Sequence, residues 1–141
     1  MSSTPANRTQ PLNPSGWADA RGYSHGLVIP AGRLVVLAGQ VGWNSATQQF
    51  ETDDLAGQVR QALGNIVSLL AHAGAEPTHL VRLTWYVTDR DAYFAARQNI
   101  GRAYRELIGA HYPPMTVVFV TGLVDVRATV EIEATAVVPD P

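Results

Sequence analysis

The chain has 141 residues, a formal net charge of −2 and no cysteine, with 46% apolar and 16% charged residues. This length fits a single domain, and the lack of cysteine excludes a disulfide framework, a catalytic thiol and a cysteine-based metal site. The acidic balance and the absence of a basic run argue against nucleic acid as a partner. No apolar run of the kind that a signal peptide or membrane span needs is present, so we expect a cytoplasmic protein without membrane contact.

The N-terminal part of the chain predicts an arm followed by two strands. Residues 1–16 are rich in Ser, Thr, Asn and Pro, which predicts an extended or disordered arm before a single domain over residues 17–141. Two short apolar runs follow, Leu27–Ile29 and Arg33–Ala38. The segment Pro30-Ala31-Gly32 between them has the composition of a turn, so we predict a hairpin.

Two segments predict helices. Apolar residues recur with a period near 3.6 from Leu55 to Ala73, with Asp53 or Asp54 as the N-cap and Gly74 as the stop. A second helix is predicted from Asp91 to Ile108.

Three further segments predict strands. Leu80 to Val87 alternates apolar and polar residues and places Arg82 on its second face. Thr116 to Val120 is a continuous apolar run, and Thr129 to Val138 alternates again. The order β-β-α-β-α-β-β predicts an α+β domain in which two helices cover one face of a mixed sheet. Apolar residues such as Val137 remain on the second face, which predicts a closed homo-oligomer whose sheets face one another.

Several segments in their usual order resemble the RidA/YjgF family, and the resemblance extends from about Gly22 to Val138. They are Gly22–Gly26, Ala38–Gly42, Gln58 through Asn65-Ile66, Ala73-Gly74 and Val130–Ala136. The resemblance implies a chorismate-mutase-like fold and a homotrimer with three ligand sites in clefts between subunits. Deaminating members hydrolyse reactive enamines and imines derived from amino acids without a metal or cofactor. The resemblance therefore implies that this protein needs neither.

The resemblance also implies which residues form the site. The tyrosine that lines the cleft corresponds to Tyr23, and the glutamate that positions the attacking water corresponds to Glu131. The Ser/Thr position is occupied by Ala38, and the arginine that holds the substrate carboxylate is replaced by Met115. The residues predicted to bind substrate are therefore Tyr23, Ala38, Gly39, Met115, Thr116 and Val117, with Glu131 as the catalytic residue.

Replacement of the arginine by Met115 changes the expected ligand. A guanidinium grips both oxygens of a carboxylate, whereas a thioether carries no charge and accepts hydrogen bonds only weakly. Met115 therefore favours an apolar or uncharged ligand. Arg33, Arg82 and Arg127 are the candidates considered for a replacement clamp from another strand or subunit.

Two polar features leave alternatives open. Glu131 and Glu133 lie two apart on a predicted strand and share a face, so they are either solvated glutamates or residues of a cleft. The resemblance favours a water-binding role for Glu131 only. The four histidines, His25, His72, His79 and His111, show no metal-ligand spacing, so we predict no metal site.

Two functions are compatible with these observations. The first is a Rid-type hydrolase that acts on an enamine or imine other than the usual amino-acid-derived ones. The second is a non-catalytic module that binds or senses a small metabolite. An RNA-cleaving activity is disfavoured by the acidic balance of the chain.

Overall fold

The computed structural model describes residues 9–141, so the first half of the predicted arm lies outside the described residues. The described chain forms a mixed five-stranded sheet, a separate two-stranded ribbon and three α-helices. In chain order the elements are β1 (Gln10–Pro11), β2 (Leu27–Val28), β3 (Gly32–Val36), β4 (Gln40–Val41), α1 (Leu55–His72), a 3-10 turn (Pro77–His79), β5 (Leu80–Val87), α2 (Arg90–Ala95), α3 (Arg97–Leu107), β6 (Met115–Phe119) and β7 (Val130–Pro139).

The main sheet has the strand order β3-β7-β5-β6, and β4 pairs with β7 beyond the end of β3. Strands β5 and β6 are parallel, while β7 runs antiparallel to β3, β4 and β5. A parallel pair needs a long crossover connection, which here contains α2 and α3. The predicted α+β class with a mixed sheet is confirmed.

Helix α1 forms where the apolar period predicts it. Its N-terminus is capped by Asp54, whose Oδ2 accepts a hydrogen bond from the Gly57 amide at 2.9 Å. The chain leaves the helix through Gly74, which has φ 75°, a conformation that favours glycine. The apolar stripe of α1 is buried against the sheet, with Leu63 and Ile66 fully inaccessible.

The predicted hairpin is wrong. Strand β2 pairs with β1 in the N-terminal arm, whereas β3 pairs with β7 over five positions, from Gly32–Pro139 to Val36–Thr135. Pro30 has no amide hydrogen to donate to a ladder across the turn. The long β7 strand also offers β3 a partner that places Val35 against the core. A local turn signal was therefore overridden by pairing with a strand about one hundred residues away.

The second predicted helix is broken at Ala96, which separates α2 from α3. No proline or glycine lies at this break. Helix α2 has no buried residue, and its Tyr93 and Phe94 rings contact Phe119 at the edge of the sheet. Phe119 is 39% exposed and lies outside the core. Helix α3 buries Ile100, Ala103 and Tyr104.

The two faces of the sheet differ in what covers them. Helices α1 and α3 pack on one face, where Leu83, Trp85, Ile132 and Ala134 are buried. We call the other face the open face; the strand residues on it are Leu34, Val36, Arg82, Thr84, Tyr86, Thr116, Val118, Glu131, Glu133, Thr135 and Val137. Of these, Leu34 and Val36 are 65% and 70% exposed. None of the helices described is long and apolar enough to span a membrane.

Candidate functional site

Glu131 lies at a break in the edge of the sheet. It pairs with Tyr86 on β5 and with Val41 on β4. After the Leu37 amide donates to the Ala134 carbonyl at 3.0 Å, the edge strand leaves β7 and rejoins it at Gln40. The carboxyl group of Glu131 lies in the gap that this detour opens.

Gly39 is placed directly against the Glu131 side chain. A Cβ atom at position 39 would lie 2.9 Å from both Cγ and Cδ of Glu131, closer than carbon atoms pack without strain. Ala38 is exposed beside it, and its carbonyl accepts a hydrogen bond from Gln40 Nε2 at 3.3 Å. We call Ala38, Gly39 and Glu131 the Glu131 corner. It combines one carboxylate with backbone groups and an alanine methyl.

Glu133 and Thr116 also lie on the open face, in the row of paired residues next to the row that contains Glu131. The Tyr86 hydroxyl donates to Glu133 Oε1 at 2.8 Å. This hydrogen bond, which only the neutral phenol can donate, is the main reason why the pKa of Tyr86 is raised, and desolvation and the negative charges of Glu133 and Glu131 add to it. Thr116 pairs with Thr84, which pairs with Glu133. Thr116 therefore lies on the open face and points away from the side chains of its neighbours Met115 and Val117.

Met115 and Val117 line a pocket on the helix side of the sheet, which we call the Met115 pocket. Its volume is about 380 Å³, and it lies between β5, β6 and α3. Its lining residues are Gly22, Trp85, Tyr93, Arg97, Ile100, Gly101, Tyr104, Arg105, Tyr112, Met115 and Val117. A concave, mostly apolar cavity of this size is typical of a small-molecule site.

Aromatic rings form one wall of the Met115 pocket. The Tyr104 ring is stacked between Trp85, at 6.4 Å, and Tyr112, at 5.2 Å between ring centres. The Tyr104 hydroxyl donates to the His111 carbonyl at 2.6 Å, and burial raises the pKa of this phenol. Trp85 Nε1 is buried and has no hydrogen-bond partner among the described residues.

The loop that carries Tyr23 is hydrogen-bonded to the residues that precede β6. The Ser24 hydroxyl donates to the Tyr112 carbonyl at 2.5 Å, and the Ser24 amide donates to the Pro113 carbonyl at 3.3 Å. Gly22 therefore reaches the pocket. The Tyr23 ring is 41% exposed and meets the edge of the His25 ring at 5.6 Å.

Within one chain, the predicted site residues fall into separate groups. Met115 pairs with Leu83, which pairs with Ala134, three residues from Glu131 on β7. Strand spacing and rise place Met115 about 10 Å across the sheet and about 10 Å along it from Glu131. The two side chains also lie on opposite faces. Gly39 and Ala38 lie beside Glu131, whereas Val117 and Gly22 of the Tyr23 loop line the same pocket as Met115.

None of the three arginines considered as replacement clamps lines the Met115 pocket. Arg33 donates to the Ala73 carbonyl at 3.3 Å. Arg127 forms an ion pair with Asp53 at 2.8 Å, and Arg82 is exposed on the open face. The arginines at the pocket are instead Arg97 and Arg105.

Arg97 and Arg105 are not among the site residues predicted from sequence, although the sequence contains a signal for them. They flank Gly101 at spacings of four residues, so the three positions share one face of α3. Glycine is unfavourable in the interior of a helix, and a Cβ atom at Gly101 would meet only the Arg105 guanidinium, at 3.4 Å. Gly101 therefore adds no side chain to the surface between the two arginines.

The histidines and carboxylates are not grouped for metal binding. Within residues 9–141, no three of these side chains lie together in a way that could hold a metal ion. The absence of a cofactor, which the family resemblance implies, stays a prediction.

Comparison with known proteins identifies the family. The family model described as endoribonuclease L-PSP matches residues 16–138. A solved structure of the conserved Rid protein family, YyfB from Yersinia pestis, has a TM-score of 0.81 and 31% identity and covers 92% of this chain and 98% of its own. The chain belongs to the RidA/YjgF family.

Two curated relatives extend this comparison. A RutC family protein of Haemophilus influenzae is 33% identical over 77% of this chain and 82% of its own length. The 2-iminobutanoate/2-iminopropanoate deaminase of Bos taurus is 28% identical over 82% of this chain and 79% of its own length. Relatives of this Rid-family chain therefore include one named as a deaminase of imino compounds.

Proposed function

We propose that this protein is a homotrimer that binds a small metabolite in clefts between its subunits and hydrolyses an enamine or imine there. The observation that carries the proposal is the Glu131 corner. Gly39 leaves room for the Glu131 carboxylate at a gap in the sheet edge, and the bovine relative is named as an imine deaminase.

The separation of the two groups of site residues supports a cleft between subunits. Glu131 and Met115 lie on opposite faces of one sheet, so a single cleft that contains both needs residues from two chains. The exposed Leu34 and Val36 side chains give the open face an apolar surface that a second subunit would cover.

The reaction needs one carboxylate and one water molecule. Glu131 takes a proton from water as the water oxygen adds to the imine carbon, and the proton is passed to the nitrogen. The hydroxyl proton of this adduct then moves to the nitrogen as the carbon–nitrogen bond breaks, which releases ammonia and leaves a carbonyl compound. Tyr23, which follows the pocket residue Gly22 in the chain, would bind the substrate with Gly39 and Val117.

Hydrolysis is tested with imines that an amino-acid oxidase generates in solution from a panel of amino acids. The protein should accelerate ammonia release from at least one imine, and Glu131→Gln should slow this by about 100-fold or more, since general-base catalysis contributes that much. Glu133→Gln is the matched control, because it removes the charge from the neighbouring row and should keep most of the activity. The hydrolase proposal fails if neither the wild type nor Met115→Arg accelerates ammonia release from any imine of the panel.

Two residues favour the second candidate, a binding module without turnover. Ala38 lacks the hydroxyl group and Met115 lacks the charge that the family resemblance assigns to the deaminating site. Saturable binding of a metabolite with no turnover would support this function. A thermal-shift screen in which no metabolite raises the unfolding temperature would count against it.

A further inference from the structure

We infer that Arg97 and Arg105 of α3 replace the missing clamp, so that the Met115 pocket accepts an anionic ligand with an apolar, flat body. This inference rests on the proposed function, because it names the substrate class of the same cleft. It also revises the expectation from sequence that Met115 favours an uncharged ligand.

The charged side chains that line the Met115 pocket are all positive. Among the described residues that line it, Arg97 and Arg105 are the charged ones and none is acidic. Neither forms a salt bridge within residues 9–141. Glu106, which follows Arg105 in the chain, is engaged by Arg60 at 2.6 Å. The two guanidinium groups are therefore available to an anion.

The geometry of α3 places these charges on either side of an opening. Arg97 and Arg105 are eight residues apart, which separates their Cα atoms by about 12 Å along the helix. Gly101 lies midway between them and adds no side chain to the gap. The guanidinium carbon of Arg97 lies 5.6 Å from the centre of the Phe94 ring, within the range of a cation–π contact.

The interior of the Met115 pocket suits a flat apolar group. The stacked rings of Trp85, Tyr104 and Tyr112 form a planar wall, and Met115 and Val117 add adaptable apolar surface from β6. A 2-imino acid with an aromatic or branched side chain combines such a group with a carboxylate. Its hydrolysis product is the corresponding 2-oxo acid.

The test compares two ligands that differ in their charge. Phenylpyruvate carries the carboxylate, and phenylacetone has the same ring and carbonyl group without it. Calorimetric titration of the full-length wild type should show tighter binding of phenylpyruvate. The Arg97→Gln/Arg105→Gln double variant should lose about tenfold or more in phenylpyruvate affinity, since each hydrogen bond to a charged group contributes about that factor, with phenylacetone little affected.

Two further variants identify the site. Arg102→Gln is the matched control, because Arg102 is on the same helix, bonds to Asn99 and does not line the pocket, so it should bind both ligands like the wild type. Gly101→Leu should weaken both ligands by filling the opening, while its higher helix propensity protects the fold. Wild-type affinity for phenylpyruvate in the double variant or in Gly101→Leu would overturn the inference, as would no binding by the wild type.

The same proteins separate this inference from the proposed hydrolysis. If the double variant binds normally while Glu131→Gln loses ammonia release, the arginine clamp is wrong and the hydrolase stands. If arginine-dependent binding is found but no imine is hydrolysed, the clamp stands and the hydrolase is wrong.

Discussion

At the scale of single residues, Gly39 and Glu131 depend on each other. The Glu131 side chain fills the space that a Cβ atom at position 39 would need. Any larger residue there must displace the carboxylate or the strand edge. The glycine in this motif is therefore explained by the close approach of a side chain and not by a turn.

Gly39→Ala should lower the free energy of unfolding by about 1–3 kcal/mol, the usual effect of an added methyl group in a filled space. It should also reduce imine hydrolysis, because the carboxylate is displaced. Gly64→Ala is the matched control, since nothing lies within 4 Å of its added Cβ atom and α1 should gain up to about 1 kcal/mol. Thermal unfolding at one protein concentration measures the stability of both variants. Equal unfolding temperatures for Gly39→Ala and the wild type would refute the close contact.

Tyr86 is predicted to titrate above its ordinary value of 10.0, because its hydroxyl donates to Glu133. A raised pKa in the folded state means that this contribution to stability is complete below pH 10 and is lost as the pH rises through the folded pKa. Phenolate absorbance during alkaline titration, compared with that of Tyr86→Phe, isolates this group. Glu133→Gln should lower the pKa of Tyr86, and an unchanged titration would show that the hydrogen bond does not control it.

At the scale of secondary-structure elements, Gln58 ties α1 to the loop before β7. Its side chain is fully buried. Its Nε2 donates to the Thr52 and Arg127 carbonyls at 3.1 and 3.0 Å, and its Oε1 accepts from the Thr129 amide at 2.8 Å. Asn65, about two turns later on the same helix, donates to the Trp43 carbonyl at 3.0 Å. The family signature on α1 therefore consists of side chains that satisfy the backbone of neighbouring loops.

Gln58→Ala should destabilise the protein by about 3 kcal/mol, because three backbone groups would lose their partner in a buried place. Gln98→Ala, at an exposed position of α3, should change stability by less than about 0.5 kcal/mol. Denaturant unfolding of both variants provides the comparison. A similar loss in the two variants would mean that burial of Gln58 is unimportant.

Element types were more predictable than their partners. The strand Leu80–Val87 has the predicted bounds, yet a register shift between Leu80 and Arg82 buries Leu80 in place of Val81. Side-chain periodicity is local and is visible in the sequence, whereas a bulge depends on the neighbouring strand. The predicted hairpin of Leu27–Ile29 with Arg33–Ala38 failed for a related reason, since β3 pairs with the distant strand β7.

At the scale of the whole molecule, the open face is the surface that most needs a partner. Leu34 and Val36 are on the edge strand β3 and pair with Val137 and Thr135 of β7. Val118 adds a third exposed apolar side chain on the opposite edge strand. Apolar residues on both edges of one face favour packing against other copies of the chain.

Val36→Asp should dissociate the predicted homotrimer, because a carboxylate buried without a partner at an interface is strongly unfavourable. Light scattering after gel filtration should give the mass of three chains for the wild type and the mass of one chain for the variant. Val124→Asp is the control, since Val124 is fully exposed in the loop before β7 and should leave the trimer intact. A wild-type mass of one chain would refute the oligomer.

The sequence by itself determined the approximate positions of α1, β5, β6 and β7, the family and the replacement of the expected arginine by Met115, because each depends on residue identity or on periodicity along a short segment. Tertiary structure alone decided that β3 joins β7, that the helix breaks at Ala96 and that Met115 and Glu131 lie on opposite faces of the sheet. It also decided that Arg97 and Arg105, and not the arginines considered first, line the Met115 pocket. These features depend on how separate segments pack in three dimensions. The even spacing of Arg97, Gly101 and Arg105 is visible in the sequence, but the surface that they line is not.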